Sequence, residues 1–147
     1  AGHVLIGQKI GALPNGRMAY SPVCDAACSV MPGMDVNGPT AAINSATNGL
    51  YAKEFVGFAM NMKFSKSILN TDEKLQKMAW LIKAFMKRGG WHIQFNVHSR
   101  EELLDAQANP GNHKNLLVRV GGYSAYFIDL PPELQAEIVN RTMHEIV

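Results

Sequence analysis

The sequence predicts an α/β fold. Three observations carry that expectation: an amphipathic helical stretch after Thr71, a strictly alternating run from Trp91 to Val97 directly behind it, and a second helix–strand succession before a closing helix. At 147 residues the chain has the size of one ordinary domain and is long enough to bury a core. Apolar residues make up 47% and charged residues 18%, a globular composition that excludes a disordered chain.

In chain order, the first seventy residues read as loops and short strands rather than long helices. Gly2, Gly7, Gly11, Pro14, Gly16, Pro22, Pro32, Gly33, Gly38 and Pro39 punctuate them closely. Val4-Leu5-Ile6 and Phe58-Ala59-Met60 are short apolar runs that suit buried strands. Irregular backbone needs a surface to lie on, or hydrogen-bond partners if buried. Residues 1–70 are therefore expected to pack against protein absent from the chain.

Residues 71–147 are more regular. Thr71 is the expected N-cap, with Asp72 and Glu73 in the first turn, where the helix dipole favours negative charge. Leu75, Met78, Leu81, Ile82, Phe85 and Met86 then form one apolar, core-facing stripe, and Gly89-Gly90 ends the helix. In the strand that follows, Trp91, Ile93, Phe95 and Val97 face one way and His92, Gln94, Asn96 and His98 the other. Ser99 to Glu102 is a capping box that opens a helix from about Arg100 to Asn109, stopped by Pro110. Leu116 to Val120 is a second strand, Gly121-Gly122 a break, and Tyr123 to Leu130 a further β-like run. Pro131-Pro132-Glu133 starts a final helix that presents Leu134, Ile138 and Ile146 on one side.

Several function classes are excluded at this level. The net charge is only +2, and no basic run is longer than Lys87-Arg88, so no nucleic-acid partner is expected. No apolar stretch is long enough to span a membrane, and the N-terminus does not read as a signal peptide, so a cytoplasmic location and no membrane partner are expected. Cys24 and Cys28 are too few for a disulfide framework and have no neighbours to complete a metal site; two small buried thiols are expected. His3, His92, His98, His113 and His144 are scattered, and no metal or bound cofactor is expected from them. Phosphate-binding glycine loops, the H-E-x-x-H pattern and the G-x-S-x-G pattern are all missing.

The informative segment is Arg119-Val120-Gly121-Gly122-Tyr123-Ser124-Ala125-Tyr126-Phe127. Read locally, Gly-Gly between two β-like runs is a hairpin turn. The segment also resembles the R-V-x-G-Y motif of the glycyl radical enzymes, and its neighbours resemble the same family in the same order. Leu103-Leu104-Asp105-Ala106-Gln107 is similar to the family's L-x-D-A-Q helix, and His92 to Val97 to its H-x-Q-F-N-V strand. Ala12-Leu13-Pro14-Asn15-Gly16-Arg17 resembles an A-x-P-D-G-R turn, with asparagine where aspartate is usual. Asn37 to Ala41 and Asn61 to Phe64 have counterparts as well. The G-Y-S-A-Y-F form looks more like the diol dehydratase, decarboxylase and C–C-lyase branches than like pyruvate formate-lyase.

The resemblance implies that Gly122 carries the radical, with Arg119, Val120, Gly121, Tyr123 and Ser124 supporting the loop. Glycine suits a radical centre because a spin on Cα is shared between the amide nitrogen and the carbonyl only if Cα is nearly planar, and a side chain would crowd it. The resemblance implies further that a separate iron–sulfur, S-adenosylmethionine-dependent activase installs the radical, and that the radical then makes a thiyl on a cysteine, which attacks a small-molecule substrate. Neither Cys24 nor Cys28 stands where the family's catalytic cysteine does, so a large portion or subunit carrying that cysteine is an expected partner. The implied fold is the C-terminal part of a ten-stranded α/β barrel, with 1–70 a loop-rich barrel segment and 71–147 the glycyl radical domain. A stand-alone radical repair protein and a non-enzymatic binding or structural subunit remain as alternatives.

Overall fold

The computed structural model describes residues 2–48, 59–141 and 143–144. Five α-helices and five strands are described: α1 (Gly2–Gly7), α2 (Gly38–Ala46), β1 (Ala59–Phe64), α3 (Asp72–Lys87), β2 (His92–Asn96), α4 (Arg100–Ala108), β3 (Leu117–Arg119), β4 (Ser124–Tyr126), α5 (Pro132–Asn140) and β5 (Met143–His144). Helix and strand mix as the α/β reading requires.

β1 lies at the centre of a three-stranded sheet in the order β2-β1-β5, parallel to both neighbours. Parallel strands need a crossover, and α3 supplies the one between β1 and β2. Its capping follows from sequence. The Thr71 hydroxyl accepts from the Lys74 amide at 3.3 Å, and at the other end the amides of Gly89 and Gly90 return to the carbonyls of Met86 and Phe85. That double return needs a left-handed residue, and Gly89 has φ +91°.

The register of β1 and β2 puts Asn61 opposite Gln94 and Lys63 opposite Asn96. Side chains alternate along a strand, so these four share one face, and Met60, Met62, Phe64, Ile93 and Phe95 share the other. The apolar face packs on Ala42, Ile43, Ile68 and Phe85. A second core gathers Val4, Leu103, Ala106, Val118, Val120, Phe127, Leu134 and Ile138 from α1, α4, β3, α5 and the chain just beyond β3 and β4. Between the two cores runs the polar face of the sheet. Truncating Phe127, which is fully buried, to alanine would cost about 3–5 kcal/mol.

Several expectations are corrected. Val4-Leu5-Ile6 is helical, part of α1; His3, Val4 and Gly7 turn inward at helical spacing while Leu5 and Ile6 face outward. Asn37 to Ala41, read among the breakers, opens α2, because a proline at the first turn starts a helix without losing a hydrogen bond. The strand expected around Phe58 runs on to Phe64, and Phe58 itself lies outside the described residues. The stripe on α3 is only partly covered: Phe85 is fully buried, but Leu75 and Met86 are 43% and 44% exposed. The capping box is half-formed. Ser99 accepts from the Glu102 amide at 3.1 Å, while the Glu102 carboxylate turns to Lys66 and His98. The last helix stops at Asn140, where β5 follows shortly to rejoin the sheet, and Ile146 lies outside the described residues. Cys24 and Cys28 are half-buried in non-helical backbone rather than fully enclosed.

Candidate active site

Local sequence makes the hairpin. Val118 and Val120 share a parity and are fully buried in the second core, which leaves Arg119 on the opposite face. β3 and β4 pair antiparallel, Val118 opposite Ala125 and Arg119 opposite Ser124. The Val120 amide donates to the Tyr123 carbonyl at 3.0 Å, and Gly121-Gly122 closes the tip.

The two glycines differ in what they need. Gly121 is buried, and a Cβ there would stand 3.1 Å from the main-chain oxygen of Asp25. Close approach accounts for it. Gly122 is exposed, a Cβ there would meet nothing within 4 Å, and its backbone is not left-handed. Neither packing nor conformation requires a glycine at position 122. Beside it, Tyr123 is 48% exposed and Ser124 is exposed.

Arg119 is fixed at every polar group. The Asn96 side chain takes its amide and gives to its carbonyl, both at 2.7 Å. Its Nε donates to the Gln94 side-chain oxygen, its Nη1 to the Ser124 hydroxyl at 3.2 Å, and its Nη2 to the Gly122 carbonyl at 3.1 Å. The guanidinium thus folds back over its own hairpin and ends on the tip.

A second arginine clamps the hairpin's base. Arg141, just beyond α5, donates to the carbonyls of Arg119, at 3.0 Å, and Val120. It is held in turn by both carboxylate oxygens of Glu137 at 2.9 Å and by Asp25 at 3.0 Å. A planar guanidinium suits this bidentate grip. Burial alone would raise the pKa of Glu137, but the His3 imidazole 3.2 Å away and the hydrogen bonds and charge of Arg141 outweigh it and hold the carboxyl below its ordinary value. Nearby, Lys63 is buried with its ammonium on the Ile138 and Val139 carbonyls at 3.4 and 3.2 Å; burial pushes its pKa down to about 8.

Sequence reasoning placed the hairpin residues together but missed the amide pair Gln94 and Asn96 and the Asp25–Arg141–Glu137 clamp. For the amides there was a signal. They occupy the polar parity of a strand in a parallel sheet, and such strands are covered on both faces, so those amides had to find partners. For the clamp, the i, i+4 spacing of Glu137 and Arg141 was a signal, but nothing marks Asp25 as their partner. Burial pushes both thiols up, helped at Cys24 by the neighbouring Asp25 charge and at Cys28 by Cys24. Among the described residues, no group of three His, Cys, Asp or Glu side chains is arranged to hold a metal, and no helix is long and apolar enough to cross a membrane.

The site is thus a glycine-tipped hairpin on an α/β scaffold, with Arg119 folded back onto its tip and Arg141 clamping its base. The family model described as "Glycine radical" matches residues 25–128, and the chain belongs to that family. It is 41% identical over 147 residues to the isethionate sulfite-lyase of Nitratidesulfovibrio vulgaris, covering 99% of this chain and 18% of that protein. It is 42% identical over 140 residues to the trans-4-hydroxy-L-proline dehydratase of Clostridioides difficile, covering 95% and 18%. Among solved structures, the glycerol-bound B12-independent glycerol dehydratase from Clostridium butyricum superposes with a TM-score of 0.90 at 40% identity, over 98% of this chain and 18% of that one. The chain therefore spans less than a fifth of the length of these relatives. A solved glycyl radical enzyme from Archaeoglobus fulgidus superposes as well, with a TM-score of 0.83 at 36% identity over 95% of this chain and 18% of that one, and the α/β architecture agrees with the fold class read from the sequence.

Proposed function

We propose that this chain is the radical-storing, C-terminal portion or subunit of a glycyl radical enzyme, with Gly122 as the residue that holds the spin. One observation carries the reading: glycine at 122 sits at an exposed tip where neither φ nor crowding calls for it, so the missing side chain serves the chemistry of the α-carbon. In this scheme residues 71–147 present the hairpin and residues 1–70 form the segment that lies against the barrel.

The family resemblance supplies the sequence of events proposed for that position. An iron–sulfur, S-adenosylmethionine-dependent activase removes one hydrogen atom from the Gly122 Cα, which the open tip leaves reachable. The glycyl radical then takes a hydrogen atom from the thiol of a cysteine outside this chain; the Gly122 C–H bond re-forms and a thiyl radical is left. That thiyl abstracts hydrogen from a small-molecule substrate and so starts cleavage or elimination at C–C or C–O bonds, or decarboxylation. The relatives include a dehydratase, a decarboxylase and a sulfite-lyase, which supports radical cleavage as the class. Within the assembled enzyme, Arg119, Val120, Gly121, Tyr123 and Ser124 hold the loop while the remaining protein excludes solvent. Such an enzyme works anaerobically, in the cytoplasm.

The experiment is anaerobic incubation with the activase followed by electron paramagnetic resonance. A doublet split by one α-hydrogen is expected, and it collapses when glycine is supplied deuterated at Cα. A signal that persists in Gly122→Ala would move the radical to another residue, and no signal in wild type would leave a binding or structural subunit.

A further inference from the structure

We infer that Arg119 does more than anchor the loop: its guanidinium tunes the stability of the Gly122 radical through the Gly122 carbonyl oxygen. The inference rests on Gly122 being the radical position. Nη2 of Arg119 donates to that oxygen at 3.1 Å. A spin on the Gly122 Cα is shared with the amide nitrogen, which gives electron density, and with the carbonyl, which accepts it. In the polar form of that sharing, the carbonyl oxygen gains negative charge. A cationic N–H donor on this oxygen favours the polar form and draws spin away from Cα.

The geometry fits a fixed donor better than a mobile surface charge. A guanidinium keeps its proton at any working pH and presents its donors in a rigid plane. Three of its nitrogens each have an acceptor here: Gln94 for Nε, Ser124 for Nη1 and Gly122 for Nη2. Gln94 projects from β2 and is 7% exposed, so the arginine is aimed from the sheet. Asn96 fixes the Arg119 backbone from the same strand. The donor is in place before any radical forms, so no reorganisation is needed when the spin appears. Covering the tip with the rest of the enzyme lowers the local dielectric and strengthens the effect. No atom is transferred in this role. Arg119 is a positioning residue, acting through the carbonyl of its neighbour.

The test uses the assembled enzyme, activated anaerobically, read by electron paramagnetic and electron–nuclear double resonance. In wild type grown on ¹⁵N-arginine, a guanidinium nitrogen or its exchangeable proton is expected to couple to the glycyl spin. In Arg119→Met the α-hydrogen splitting should widen, because more spin stays on Cα, and the radical should decay faster, on the order of tenfold, in anaerobic storage. Arg119→Lys should fall between the two. A merely structural role lowers the yield of radical but leaves the splitting unchanged. A wild-type doublet with no guanidinium coupling overturns the inference alone, and this measurement stands even if Arg119→Met fails to fold or activate. An identical splitting in both variants also overturns it. Absence of any doublet in wild type removes the reading of Gly122 and this inference together.

Discussion

The side chain of Asn96 pairs with the main chain of Arg119 as a neighbouring strand would, giving one hydrogen bond and taking another, each 2.7 Å long. Asn96 is 5% exposed, so its loss leaves the Arg119 amide without a partner away from water. Asn96→Ala should cost about 2–3 kcal/mol, read by denaturant titration. Hydrogen exchange at the Arg119 amide should quicken more than exchange in α3. Unchanged exchange would mean that the hairpin pairing alone protects this residue.

The two glycines at the tip should respond differently to one added methyl. Gly122→Ala should change stability by no more than about 0.5 kcal/mol, since open space surrounds the new carbon. Gly121→Ala pushes its Cβ against the Asp25 carbonyl and should cost about 1–3 kcal/mol. Paired melting curves decide the matter. Equal losses at both positions would contradict the packing described, and the stability of Gly122→Ala makes it a sound control for the spectroscopy.

Glu137 gives the clamp a pH dependence. Its folded pKa lies below the ordinary 4.5, so the carboxylate contributes stability that is fully present above that value. That contribution disappears as pH falls from about 4.5 through the lowered folded value. Glu137→Gln should therefore flatten the acid limb of the stability curve. At neutral pH it should cost about 3–5 kcal/mol, because Arg141 loses its bidentate partner in a buried setting. Urea melts at a series of pH values provide the measurement.

Lys63 works in the opposite direction. Burial lowers its pKa to about 8 from an ordinary 10.5, so between those values the unfolded chain binds more protons than the folded one. Stability should rise with pH across that window, by on the order of 1–3 kcal/mol. Lys63→Met keeps the length of the side chain and should abolish the rise. A persistent alkaline rise in the variant would assign it to another group.

Much of this was legible in the residues. The caps of α3 and α4, the alternation of β2 and the glycine break of the hairpin all depend on chemistry within a few positions, and each formed close to its expected place. Val4 to Ile6 misled because three consecutive apolar residues fit a strand or a short helix equally, and only contact with α5 decides between them. The link of Asp25 to Arg141 was silent for another reason. Asp25 lies more than a hundred residues from Arg141 in the chain, so no local pattern relates it to the Glu137–Arg141 pair. The half-covered stripe of α3 shows that an apolar face announces a partner without naming it.

Arg141 is made nineteen residues after Gly122. As a nascent chain leaves the ribosome, Gln94 and Asn96 are already outside when the hairpin emerges, but its second brace is still inside the exit tunnel. Translation therefore delivers a loop held on one side first. Stalling or premature termination before the codon for Arg141 would yield a product with the Gly121-Gly122 tip present and its lower clasp missing.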